Sequence, residues 1–199
     1  MNRILATLII FIVAGLLISQ SLARGSNNSR VQGAIVALEG EGVLRIRGEH
    51  DLKATVGNTL RRGEILKTGE SWTVVEYAGV RIALAYNTEL QLTSPGVFRL
   101  LGGRIMSSGS ATITTPWIEV RSEDTVSVVN YAWKSEVDII PLESATTVVD
   151  NETLGTLPVS LPSIWIENER DLVTSLEPFN PKTSSEAAFY AWAQERLWR

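Results

Sequence analysis

His50 is the single histidine of this 199-residue chain and stands between Glu49 and Asp51 in the run GEHD. An imidazole beside carboxylates could act as a general base or as a metal ligand. Either role needs partners at useful spacing, and the sequence has no HxH or HExxH pair. His50 therefore reads as a surface-loop residue. A Ser-His-Asp hydrolase would show its nucleophile in a GxSxG turn, which is absent. Ser107 or Ser108 with Lys53, Lys67 or Lys134 supplies the parts of a Ser/Lys hydrolase, but no spacing selects a pair. The acidic pairs Glu39/Glu41 and Glu123/Asp124 fall on turns and lack the alternating aspartates of a calcium loop. There is no cysteine, which excludes disulfides, thiolate zinc sites and cysteine nucleophiles. Gly63, Gly69, Gly79, Gly96 and Gly103 separate strand candidates and form no phosphate loop. The expectation is a protein without catalytic residues, cofactor or metal.

Aromatic residues are the remaining source of chemistry, and six of them are tryptophans. Trp72, Trp117 and Trp133 fall in strand candidates, where core or sheet-face packing is expected. A carbohydrate-stacking or partner face is the alternative. Phe189, Tyr190, Trp192 and Trp198 crowd the last segment and are the candidate partner-binding residues. Thr183–Arg199 reads as a helix, with Thr183 as N-cap and Glu186 completing a capping box. Phe189, Trp192, Ala193 and Leu197 form one apolar stripe at i, i+3, i+4, i+8, and Arg196 and Arg199 suit the helix C-terminus. This helix either packs back on the body through its stripe or docks to a membrane interface or partner, because Tyr190 and Trp198 lie partly off the stripe.

The elements that must position these groups are short strands. From Leu60 to Arg121 apolar and polar segments alternate, each cut off by a turn signal such as Gly69-Glu70-Ser71, Ala78-Gly79, Asn87-Thr88 or Ser94-Pro95-Gly96. No helical period interrupts them, so the pattern predicts an all-β body of two packed sheets or stacked β-turns. Ile82 with Leu84 and Leu90 with Leu92 each share a strand face that a second sheet must cover. Before this stretch, Ala34–Leu38, Val43–Arg47 and Leu52–Val56 are strand candidates, and in the second of them Leu44 and Ile46 are read as buried with Arg45 and Arg47 wet. After it, Thr125–Ala132 and Glu136–Pro141 read as a hairpin around Lys134-Ser135.

The ends differ in character. Residues 1–23 combine Arg3 with an apolar, charge-free run, and serve either as a signal anchor of about 30 Å or as a cleaved signal peptide ending at Ala23. Residues 24–30 form a polar linker, and residues 31–149 hold the β domain. Residues 150–182 carry Pro158, Pro162, Pro178 and Pro181 and read as an extended strap fixed by Trp165, followed by the helix at 183–199. Hydrophobic residues make up 44% and charged residues 20%, which is a folding composition. The net charge of −4 argues against nucleic acid as a partner.

Residues 31–149 resemble the periplasmic domain of the FecR family. The pattern runs through Leu60, Gly63, Leu66, Thr68-Gly69 and Ser71, then Ile82, Leu84, Asn87-Thr88, Leu90 and Leu92. It continues through Leu100, Gly103-Arg104-Ile105 and Thr115-Pro116. Asp124-Thr125 replaces the Gly-Thr usual in the family, so the turn there should differ. The resemblance implies a non-enzymatic sensory module that passes signals between envelope and cytoplasm. Only Met1–Arg3 precede the apolar run, so the family's sigma-factor-binding segment is not expected here. The resulting expectation is an extracytoplasmic module held in the inner membrane through residues 4–23 if uncleaved, binding an envelope protein or glycan. The alternatives are an envelope scaffold that self-associates through its C-terminal helix and, more remotely, a Ser/Lys hydrolase.

Overall fold

The computed structural model describes residues 33–198, apart from Gly42, Gly48 and Glu49. The expected membrane-targeting segment at 1–23 and linker at 24–30 lie outside the described residues.

One strand, β9 (Val97–Ser108), belongs to two sheets and organises the rest. Its second half joins an antiparallel sheet, called here the first sheet. On one side of β9 lie β7 (Val80–Leu84), β6 (Ser71–Tyr77), β1 (Gly33–Gly40) and β4 (Thr59–Leu60). On the other lie β12 (Val126–Tyr131), β13 (Glu136–Pro141), β16 (Ser163–Ile166) and β17 (Asp171–Thr174). Its first half joins the second sheet. There β8 (Glu89–Ser94), β5 (Ile65–Lys67), β2 (Leu44–Arg47) and β3 (His50–Lys53) follow in order on one side. β10 (Ala111–Thr114), β11 (Ile118–Ser122), β14 (Thr146–Asp150) and β15 (Thr156–Val159) follow on the other. Among the described residues only the β9–β10 pair is parallel. The two-sheet form of the all-β expectation is thus what the chain adopts.

Gly103 makes the sheet change possible. Its φ of +90° is open to glycine and strained for other residues, and strands that pass between sheets turn at such bends. The bend is locked from the side. Arg104 N–H donates to Thr88 Oγ1 at 3.1 Å, and the Thr88 hydroxyl donates to the Arg104 carbonyl at 3.0 Å. Thr88 N–H donates in turn to Thr68 Oγ1, whose hydroxyl reaches the Ala85 carbonyl at 2.6 Å. These threonines are buried, and each satisfies backbone groups that the bend removes from a ladder. Thr115 does the same at the next corner, accepting from Ile118 N–H at 3.1 Å.

Between the sheets lies one apolar core. Val75, Tyr77, Ile82, Leu84, Ile105, Val128 and Ile139 come from the first sheet, and Leu66, Leu90, Leu92, Phe98, Leu100, Ile113 and Val120 from the second. Leu90 opposes Leu100 and Leu92 opposes Phe98 across β8 and β9, as the two-residue alternation requires.

The fold departs from the sequence pattern at four places. Residues 150–182 are no mere strap, because β15 extends the second sheet and β16 and β17 extend the first. Pro158 is tolerated because β15 is an edge strand, and Trp165 is a core residue. In β2 the phase is reversed. Val43 enters the core, Leu44 and Ile46 are half-buried, and Arg45 shares Val43's face and donates from Nη1 to the Thr59 carbonyl at 2.7 Å. His50 opens β3, opposite Arg47, rather than lying in a loop. Finally, α1 (Ala187–Leu197) starts four residues late and has Glu186 at its N-cap without a side-chain cap bond. Asn180 explains the delay: its side chain accepts from Lys182 N–H and its carbonyl from Thr183 N–H, which holds the segment after Pro181 in turns.

Candidate functional site

The outer face of the first sheet is the chemically distinctive surface. Along β6 the even residues point outward, so Trp72 and Val74 meet α1 while Val75 and Tyr77 face the core. Ala37, Ala83 and Ala85 keep this face shallow, and Met106 completes the apolar floor. On it α1 lays Phe189, Tyr190, Trp192, Ala193 and Leu197, all buried. Trp72 is the hub of the contact. Its ring centroid is 5.5 Å from that of Trp192 and 6.1 Å from that of Phe189. On its other side it stacks on Tyr86 at 5.1 Å.

The structure therefore brings together three of the four sequence-predicted site residues and turns them toward the sheet. Phe189, Tyr190 and Trp192 hold α1 down, while Trp198 is half exposed beyond the helix end. At that end Arg196 covers the Trp192 ring at 4.8 Å and reaches Glu39 of β1 at 3.7 Å. Arg81 donates to the Arg196 carbonyl at 3.4 Å, placing a cation at the helix C-terminus.

A polar chain crosses the interface at the other end of α1. Arg104 Nη1 donates to the Tyr190 hydroxyl at 2.7 Å, with its guanidinium over the Tyr190 ring. Ser127 Oγ lies 3.0 Å from that hydroxyl and 2.9 Å from the Ile105 carbonyl. A carbonyl only accepts, so Ser127 donates to it and Tyr190 donates to Ser127. Nearby, burial pushes the Asp138 carboxyl above its ordinary range, and the Arg104 charge opposes that rise. The Tyr131 hydroxyl is also raised, first by burial and then by Asp138.

Two grooves flank the start of α1 and share Arg104 and Glu186 in their walls. One, of about 340 Å³, runs over β13, β16 and β17 and is lined by Ile140, Ile164, Val173 and Phe179, with Asp138 beside Arg104. The other, of about 640 Å³, lies over the bend of β9 and is bordered by Tyr86, Tyr131 and Trp133, with Gly102, Gly103 and Asn130 below. Trp133 is 80% exposed and Tyr86 49% exposed. Trp133 sits in the turn between β12 and β13, not in a strand, whereas Trp117 is half-buried just before β11. Nothing in the sequence marks Tyr86 or Tyr131, and Arg104 stands out there only as part of the FecR-like pattern. For Trp133 the usable signal was its place directly before the Lys134-Ser135 turn.

Three of the candidate hydrolase residues have other partners. Ser107 is fully buried with its hydroxyl toward the Val126 carbonyl at 3.5 Å. Lys67 pairs with Glu89, and Lys134 lies over Tyr131 and Trp133. Among the described residues no three His, Asp or Glu side chains gather where they could hold a metal ion.

No protein-family model matches the chain, and no curated protein matches it. Two crystal structures of a candidate anti-sigma factor from Parabacteroides distasonis are similar to it. One overlaps with a TM-score of 0.49 at 11% identity, over 57% of this chain and 60% of that one. The other gives 0.44 at 11% identity, over 51% and 53%. The overlap thus spans little more than half of each molecule.

Proposed function

We propose that this chain is a non-enzymatic, extracytoplasmic sensory or interaction module that recognises a protein or glycan partner in the cell envelope. The observation that carries the reading is the pair of grooves on the outer face of the first sheet, one of them bordered by aromatic rings standing in water. Large exposed rings gathered at one concavity are a surface suited to contact. The FecR-like pattern supports the same reading from a different direction. Its Thr68, Thr88, Gly103 and Arg104 are the residues that shape the bend beneath the larger groove. Assembly through α1 is less favoured, because the aromatic stripe that would drive it is occupied by the chain's own sheet.

The test combines intact mass with crosslinking in living cells. Envelope fractions should contain the chain, with a mass starting at Met1 in the membrane fraction or at Arg24 in the soluble one. A photoreactive residue in place of Trp133 should form a discrete adduct that the same residue in place of Arg99, on the second sheet, does not. Recovery in the cytoplasm, or equal adducts from both positions, would overturn the reading.

A further inference from the structure

We infer that the groove between Tyr86 and Trp133 is a glycan-binding site for a neutral, polyhydroxylated sugar chain. The inference rests on the envelope-module reading and names the ligand class at the larger of the two grooves. Two large rings line one concavity, which separates them from the singly scattered apolar residues that any surface carries. Tyr86 is held from behind. Tyr86 is braced by Trp72 at an interplanar angle of 21°, and Trp72 is itself wedged against α1. Lys134 lies 4.7 Å from the Trp133 centroid and 5.2 Å from that of Tyr131, tying the turn's aromatics together. Between the rings the lining includes Gly102 and Gly103, which project no side chain. A floor without side chains between aromatic walls suits the apolar C–H face of a pyranose, whose slightly positive hydrogens match the negative face of an aromatic ring.

Charge and backbone pairing narrow the class. Glu89, Arg104 and Glu186 line the groove, and Glu89 is paired with Lys67. With both signs present, nothing selects a polyanion or a polycation. Asn87, Glu89 and Glu186 offer the amide and carboxylate groups that sugar hydroxyls hydrogen-bond. An extended peptide would need a free strand edge to satisfy its backbone. β12 lies between β9 and β13, and at the bend the Asn130 amide donates to the Leu100 and Leu101 carbonyls of β9, so the floor leaves a peptide backbone little free strand edge to pair with.

The full chain, purified in mild detergent, would be titrated with three hexasaccharides: β-1,4-linked N-acetylglucosamine, β-1,4-linked glucose and α-1,4-linked glucose. Calorimetry and tryptophan fluorescence read the result. At least one sugar should bind saturably, and Trp133→Ala should weaken it by about tenfold or more. Trp133→Phe, which keeps a ring, should stay within a few-fold of wild type. Because Trp133 is exposed, both variants should keep the parent melting temperature, which separates lost binding from lost folding. No saturable binding of any of the three at millimolar concentration, or binding that survives Trp133→Ala, would overturn the site. If the sugars fail while position 133 still crosslinks to an envelope protein, the glycan assignment falls and the module reading stands. Recovery of the chain in the cytoplasm would remove the reading itself.

Discussion

Gly103 is packed directly against Thr88: a Cβ added at Gly103 would stand 2.6 Å from both the Cα and the Oγ1 of Thr88. No real side chain tolerates that approach, and Thr88 cannot retreat because its hydroxyl is bonded to Arg104 on the same bend. Gly103→Ala should therefore destabilise by more than about 2 kcal/mol, combining positive-φ strain with the clash. Gly102 is the control. It has open space around the same position, so Gly102→Ala should stay within about 1 kcal/mol of the parent. Urea midpoints of the two variants decide the matter, and equal effects would mean that the bend is not fixed by this contact.

Tyr190 should be the polar latch of α1. Its hydroxyl accepts from Arg104 and donates to Ser127, so Tyr190→Phe leaves a partly buried guanidinium donor and a buried serine without that partner. The expected cost is about 1–3 kcal/mol. Ser127→Ala should cost less when Tyr190 is already Phe, because the two act in one chain. A double-mutant cycle by chemical denaturation measures this, and strictly additive losses would mean the chain does not act as a unit.

The pH dependence follows from Asp138. Its carboxyl is held above the ordinary range, chiefly by burial, so folding disfavours its ionised form. A raised acid costs stability where it is ionised in both states. That cost is fully present above the raised value and is relieved as pH falls through it toward the ordinary carboxylate range near about 4. Asp138→Asn should therefore melt above the parent at pH 7.5, with the difference shrinking as pH is lowered toward 4.5. A difference that stays constant, or grows on acidification, would reverse the assignment.

What the sequence made legible follows from the range of each interaction. The hairpin around Lys134-Ser135 and the shared, covered face of Leu90 and Leu92 depend on nearby turns and on two-residue alternation, and both stand in the structure. Alternation gives β2 the wrong phase because Arg45 shares the core-side face while its guanidinium reaches the Thr59 carbonyl, a long-range option that no local pattern carries. The stripe of α1 was visible, but its destination was not, since Ala37, Ala83 and Ala85 make room for it only after distant strands assemble. The groove at Tyr86 and Trp133 joins residues far apart in sequence across a bend that no local pattern announces.

Trp165 and Trp133 offer the sharpest contrast among the tryptophans. Trp165 stands in β16 opposite Val137 and Leu172, is 3% exposed, and belongs to the core between the sheets. Trp165→Ala should cost about 3–5 kcal/mol through lost burial and the cavity left behind. Trp133→Ala should fall within about 0.5 kcal/mol of the parent, as expected for an exposed turn residue. If residues 150–182 were only laid over a finished domain, Trp165→Ala would loosen that segment and leave the main unfolding transition in place. Because β16 carries the core to β17, the single transition itself should move to lower denaturant, with near-ultraviolet circular dichroism and tryptophan emission shifting together. Separate transitions for the two signals would show that these residues fold apart from the sandwich.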